Sequence, residues 1–226
     1  MSQLINIFVE PGKVFAELKE KPTFLVPALL VSLFTAGAAL LYFFKVDPDW
    51  FISNQLARMG GEMSAAELEQ VKAFMPGART SGYIAAPSTL VVFAIMYSLL
   101  GLYYLLAGKV TGNAVSFRHG LSLAAWSSMP MIVGALVAIV AIFTSSPKSS
   151  FESMQLLNVD PLLVQLPFDH AWGNLARSFS LLNFWAWFLA ALGWKIWFRT
   201  GWGQALFVVL LPSLVIYGGM AAFAAL

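Results

Sequence analysis

Two histidines, His119 and His170, are the only side chains in this 226-residue sequence whose ordinary titration falls near neutral pH. His170 follows Asp169, with Asp160 a short distance upstream, an oxygen-and-nitrogen set that a divalent metal could use. No His-x-x-x-His or Glu-x-x-His helical spacing accompanies it, so the pair reads as a solvated turn. A serine could be added on paper to Asp169 and His170. The sequence holds no G-x-S-x-G elbow, however, and its serines fall in unrelated segments. Gly108, Gly112 and Gly120 do not make a Walker or dinucleotide loop behind a strand. With no cysteine there is no disulfide and no thiolate zinc site. The residues thus predict no catalytic set, no metal and no cofactor.

The elements that position these residues follow from composition. Apolar residues make up 59% of the chain and charged residues 11%, against about 25% charged in a soluble domain. So little charge cannot cover a surface facing water, which points to a lipid bilayer. Thirteen Lys and Arg against eleven Asp and Glu, scattered in ones and twos, do not make a nucleic-acid surface.

A charge near the bilayer centre costs about 2.5 to 3.5 kcal/mol on insertion scales, so charge-free intervals mark the membrane. Five occur, and they predict an all-α bundle of five transmembrane helices near 24–44, 84–107, 121–143, 178–197 and 205–225. The fourth is the shortest, with 17 residues between Arg177 and Lys195. Trp185, Trp187, Trp194, Trp197 and Trp202 cluster around it as an interfacial belt would. Ahead of the first span, residues 1–23 hold no cleavable signal peptide. Pro11 opens a short amphipathic helix with Val14, Phe15 and Leu18 on one face, expected in the headgroup plane.

Lys and Arg counts favour a cytoplasmic N-terminus and an external C-terminus. The shorter segments 1–23, 108–120 and 195–204 then carry seven, and the longer outer loops 45–83 and 144–177 carry six. In the first outer loop Ser64 and Glu67 predict a capping box ahead of a helix closed by Pro76 and Gly77. The second loop is apolar enough to lie on the membrane or over the bundle.

The expected span cores carry no Asp, Glu, Lys, Arg or His, where ion- and proton-coupled transporters place them. The polar residues that remain, Ser32, Thr35, Tyr97, Ser98, Ser127, Ser128, Asn183, Ser213 and Tyr217, read as hydrogen-bonding contacts between helices. Small residues four apart, such as Ser32 and Ala36 or Gly218 and Ala222, predict close helix approach and allow a homo-oligomer through helix faces. Pro130 must kink the third span. Gly112 and Asn113 can turn the chain from the second span to the third.

The stretch GNAVSFRHGLSLAAWSSMPMIVG, residues 112–134, resembles the membrane core of the Yip family of Ypt/Rab-interacting proteins in its bacterial form. The resemblance rests on Gly112, Ser116, Phe117, Arg118, Trp126, Ser127 and Pro130. Pro11 and Phe15 ahead of Pro22 and Pro27 add to it in the N-terminal stretch. Trp126 stands where the family often has Tyr, and the segment before the first span is short where eukaryotic members carry a long cytosolic region. The resemblance implies a multi-pass protein without established catalysis, tied in eukaryotes to membrane shaping and vesicle traffic through protein contacts. From residues and resemblance together we expect a non-catalytic scaffold or adaptor in a bacterial cytoplasmic membrane. Lys109, Arg118, His119, Lys195 and Arg199 would meet a protein partner or anionic lipid there. The competing expectation is an uncoupled channel or transporter of lipid or another apolar solute around the Pro130 kink.

Overall fold

The computed structural model describes residues 3–59 and 65–226, and these are helical apart from turns and one isolated antiparallel bridge, Asn158 to Ser180. Two short helices open the chain, α1 (Gln3–Val9) and α2 (Pro11–Glu20). Pro11 sits in the first turn of α2, where its missing N–H is harmless. Pro22 ends the helix by forcing Lys21 out of helical geometry. Then come α3 (Leu25–Lys45), α4 (Pro48–Met59), α5 (Ala65–Phe74) and the long α6 (Ala78–Val110). After these follow α7 (Phe117–Ser127), α8 (Met131–Thr144), the short α9 (Phe151–Met154), one π-helical turn at Asp160–Val164, α10 (Gly173–Ser178), α11 (Leu182–Phe198) and α12 (Trp202–Ala225).

Among the described residues, four units are long and apolar enough to cross a membrane: α3, α6, the α7–α8 pair and α12. Their outward faces agree. Val91, Ile95, Leu99 and Leu106 of α6 and Leu214, Val215 and Phe223 of α12 are exposed, an apolar surface water would not tolerate on a monomer. Helix α11, 17 residues, runs about 25 Å between the two ends of the bundle.

The expected boundaries need two corrections. The third span is two helices, because Pro130 has no N–H to give to Trp126 O. The backbone passes the break through short bonds, Met129 N to Trp126 O, Met131 N to Ser128 O and Ile132 N to Met129 O. The helix at the expected fourth span, α11, starts at Leu182 and not near 178. Phe179 and Ser180 are held extended instead, through Val159 N to Phe179 O and Leu181 N to Leu157 O, both 2.9 Å. The Ser64 half of the expected capping box lies outside the described residues.

α3 packs along α6 and α8, α7 lies on α6, and α11 lies against α12, α7 and α2. The tightest crossing joins α6 and α7, where a Cβ on Gly120 would stand 2.4 Å from Gly101 O. Both ends of the bundle are tied. At one, Asp47 N donates to Pro147 O (3.0 Å), Lys45 donates to Ile142 O and Ser145 O at the end of α8, and Arg58 forms a two-pronged ion pair with Glu152 (2.7 and 3.0 Å). The α1–α2 pair closes the other, with Ile7, Val14, Phe15 and Leu18 in the main core.

Candidate functional site

Gly112 builds the connection that brings the motif residues to the α1–α2 end. Its φ of 71° lies in the left-handed region, and the bonds Gly112 N to Lys109 O (3.3 Å) and Asn113 N to Gly108 O (2.8 Å) close α6 as a Schellman motif. The left-handed residue is Gly112 alone; Asn113 contributes its amide. Ser116 then caps α7, its Oγ accepting from His119 N (3.3 Å).

From this start α7 reaches back to the N-terminal segment. His119 Nε2 lies 3.0 Å from Lys19 O, and since a carbonyl can only accept, that nitrogen carries the proton. In the neutral ring Nδ1 is therefore the acceptor, and Ser116 Oγ stands 2.6 Å from it as donor. Arg118 Nε donates to Pro22 O (2.9 Å) and Trp126 Nε1 to Thr23 O (2.8 Å). From α11, Trp197 Nε1 donates to Phe15 O (2.6 Å), and its ring meets His119 edge to face at 5.6 Å. Four side-chain N–H groups from two helices thus hold carbonyls between residues 15 and 23. Gly193 lets Phe15 come this close, since a Cβ there would stand 2.8 Å from the ring.

These contacts change how several expected site residues read. The apolar face of α2 is covered by α11 and α7. Arg118 and His119 are committed to the chain's own carbonyls, although Arg118 remains exposed. Trp194 and Trp197 belong to the core rather than to an interfacial belt, whereas Trp185 and Trp202 are exposed. Lys109 and Arg199 are exposed and form no ion pair among the described residues. Lys195 lies over the Trp202 ring at 5.4 Å. Arg199 ends α11 in a left-handed conformation, φ 52°, a strained position for a non-glycine residue that the sequence did not signal. The ring of Phe117 stands against Gly101. The sequence does not pair Trp197 with Phe15 O or Trp126 with Thr23 O; the need of a buried indole for an acceptor is the signal it carries.

A second feature lies between the helices. α6 and α12 do not pack along their lengths; Tyr103 Oη bridges them to Val208 O at 2.5 Å. Beside this bridge is a cleft of about 390 Å³ bordered by α6, the α7–α8 break, α11 and α12. Its lining is mainly apolar, with Ser127, Ser128, Asn183 and Ser213 among it. Several expected interhelical contacts are found here: Tyr97 Oη to Ser128 Oγ at 2.8 Å, Asn183 Nδ2 to Tyr217 Oη and Trp187 Nε1 to Ser213 Oγ, both 2.9 Å. Ser32, Thr35 and Ser98 bond instead to carbonyls of their own helices. Gly218 meets nothing within 4 Å, so that small-residue pair faces outward.

At the opposite end an open basin of about 730 Å³ is lined by Arg58, Lys148, Glu152, Asp160, Phe168 and Arg177, among others. Both guanidiniums stand near the Phe168 ring, at 4.3 and 5.0 Å. Burial pushes the Glu152 carboxyl up, but hydrogen bonding and charge from Arg58 outweigh it and hold the carboxyl below its ordinary range. Asp160 Oδ1 accepts from Leu166 N (2.9 Å) and His170 Nδ1 from Trp172 N (3.2 Å), so both serve the local loop.

Long apolar helices with apolar outer faces, tied at both ends by polar contacts, define a multi-pass α-helical membrane protein. The Yip1 domain family model matches residues 5–223, and the chain belongs to that family. It is similar to a protein named membrane protein YknW, from Bacillus subtilis (strain 168), at 23% identity over 218 residues, 95% of this chain and 87% of that one. No solved structure matches.

Proposed function

We propose that the chain is a non-catalytic scaffold of the bacterial cytoplasmic membrane with five spans, α11 being the fourth. The α1–α2 end faces the cytoplasm, the C-terminus lies outside, and the cytoplasmic end offers a basic surface to anionic lipid headgroups or an acidic protein partner. One observation carries this reading. Among the described residues, the segments gathered at the α1–α2 end hold seven Lys and Arg against three Glu, and the segments at the other end hold six against seven Asp and Glu. Lys109 and Arg199, exposed and without ion pairs among the described residues, are its free members; Arg118 and His119 shape the surface by holding the N-terminal segment on it.

A Lys or Arg near an anionic surface contributes about 1 kcal/mol, or about five-fold each. The test extracts the full chain from native membrane in lipid-retaining polymer particles and weighs what stays bound. Anionic lipid enriched over the bulk, or a stoichiometric protein, is expected, and Lys109→Ala with Arg199→Ala should reduce that enrichment at least several-fold. Unchanged enrichment would refute the reading. A second reading, an uncoupled channel or transporter of lipid or another apolar solute, draws support from the cleft beside the α7–α8 break. Movement of labelled lipid between leaflets by the reconstituted chain would favour it over the scaffold.

A further inference from the structure

The cleft between α6 and α12 contains a hydroxyl that the fold does not use. Tyr104 lines it and is only 4% exposed, yet its hydroxyl has no hydrogen-bond partner among the described residues. Nor is that oxygen sealed in, as the unpartnered polar atoms of Ser122, Trp194 and Thr200 are. The neighbouring Tyr103 satisfies its own hydroxyl at Val208 O. A buried phenol without an acceptor is costly unless something enters to accept its proton.

Geometry indicates what that is. Along α6 the lining extends from Val92 to Tyr104, a length of about 18 Å at 1.5 Å per residue. A cleft this long, narrow and apolar, open on a side where α6 and α12 do not pack, matches a single acyl chain better than a compact solute. Tyr104 stands at one end of it, about 7 to 8 Å along α6 from exposed Lys109. With Lys109 at headgroup level, that depth falls at the edge of the hydrocarbon, where ester carbonyls lie. The other hydroxyl with a proton to give is Ser213, which accepts from Trp187 Nε1 and has no acceptor of its own among the described residues.

We infer that this cleft is a binding site for one glycerolipid from the leaflet on the α1–α2 side, with its ester carbonyl accepting from Tyr104 and one acyl chain running past Tyr97 toward Pro212. It rests on the cleft and not on the basic end, so substitution of Lys109 and Arg199 leaves it intact.

The full chain, reconstituted in vesicles of phosphatidylglycerol and phosphatidylethanolamine with added menaquinone, is released into native mass spectrometry. One phospholipid retained per chain is expected. Tyr104→Phe keeps the ring and removes the donor, and should lower retention several-fold. Ala186→Phe fills the cleft from α11 and should abolish retention, with thermal unfolding showing that both variants remain folded. Retention equal in wild type and both variants would mean loosely associated boundary lipid and would overturn the inference, as would retention of menaquinone in place of phospholipid. Should Ala186→Phe fail to fold, Tyr104→Phe alone decides.

Discussion

Removing two side-chain donors should release the N-terminal segment while leaving the spans in place. Trp126→Phe keeps an aromatic ring where the tryptophan is almost completely buried and deletes the N–H that Thr23 O receives. A hydrogen bond of this kind contributes about 0.5 to 1.5 kcal/mol net. Because Thr23 is exposed and water can take its carbonyl, we expect about 1 kcal/mol. His119→Ala removes the donor to Lys19 O and the edge-to-face contact with Trp197, about 1 to 2 kcal/mol together. Both act on one short segment, and simple addition gives about 2 to 3 kcal/mol for the double variant. At 1.36 kcal/mol per decade that makes local opening about 30 to 150 times more frequent. The assay is amide hydrogen exchange across residues 11–23 in lipid particles, with α3 and α6 as internal reference. Protection in α2 should fall by that factor and stay constant in the reference helices. Unchanged protection in α2 would refute the clamp, and an equal loss in α3 and α6 would show that these side chains support the whole bundle instead.

Three other perturbations have definite signs. Gly120→Ala should destabilise by about 1 to 3 kcal/mol in chemical unfolding, because its Cβ meets the Gly101 backbone. Gly37→Ala, which meets nothing within 4 Å, should stabilise by about 0.5 to 1 kcal/mol; the same sign for both would place the α6–α7 crossing elsewhere. Glu152 has a lowered folded pKa, so its contribution is present above the ordinary glutamate value and fades as pH falls through that value to the folded one. The unfolding difference between wild type and Glu152→Gln should accordingly shrink below pH of about 4; it should stay within about 1 kcal/mol at pH 7 because the pair is only partly buried. A difference independent of pH would remove Arg58–Glu152 as an electrostatic tie.

Charge spacing made the four long apolar units legible, since an unpaired charge in hydrocarbon is excluded whatever the tertiary fold. Helix ends were less legible because local partners set them. Nothing in Phe179 and Ser180 announces the bridge to Asn158, and only the spatial neighbour makes that stretch extended. Pro130 predicted a kink, and the break has that cause. Its resolution into two helices depends on Ser127 Oγ and Ser128 Oγ, which bond to Ala124 O and Ala125 O at 3.1 and 2.8 Å. The motif residues were legible as a set, but not in their use. Arg118 and His119 read from the sequence as surface contacts for lipid or partner, because a sequence does not display the carbonyls of a segment about a hundred residues away.

That use sets what each motif position has to supply. Ser116 caps α7, Arg118, His119 and Trp126 supply donors along it, and Gly112, Gly120 and Gly193 supply the absence of a Cβ. The consequence is an α2 whose apolar face is consumed by protein, leaving Lys13, Glu17, Lys19 and Glu20 outward on a fixed surface. A free amphipathic helix would insert its apolar face into any bilayer of suitable composition. A docked one cannot, so under the proposed reading a headgroup or partner at the α1–α2 end would meet side chains held in place by protein contacts.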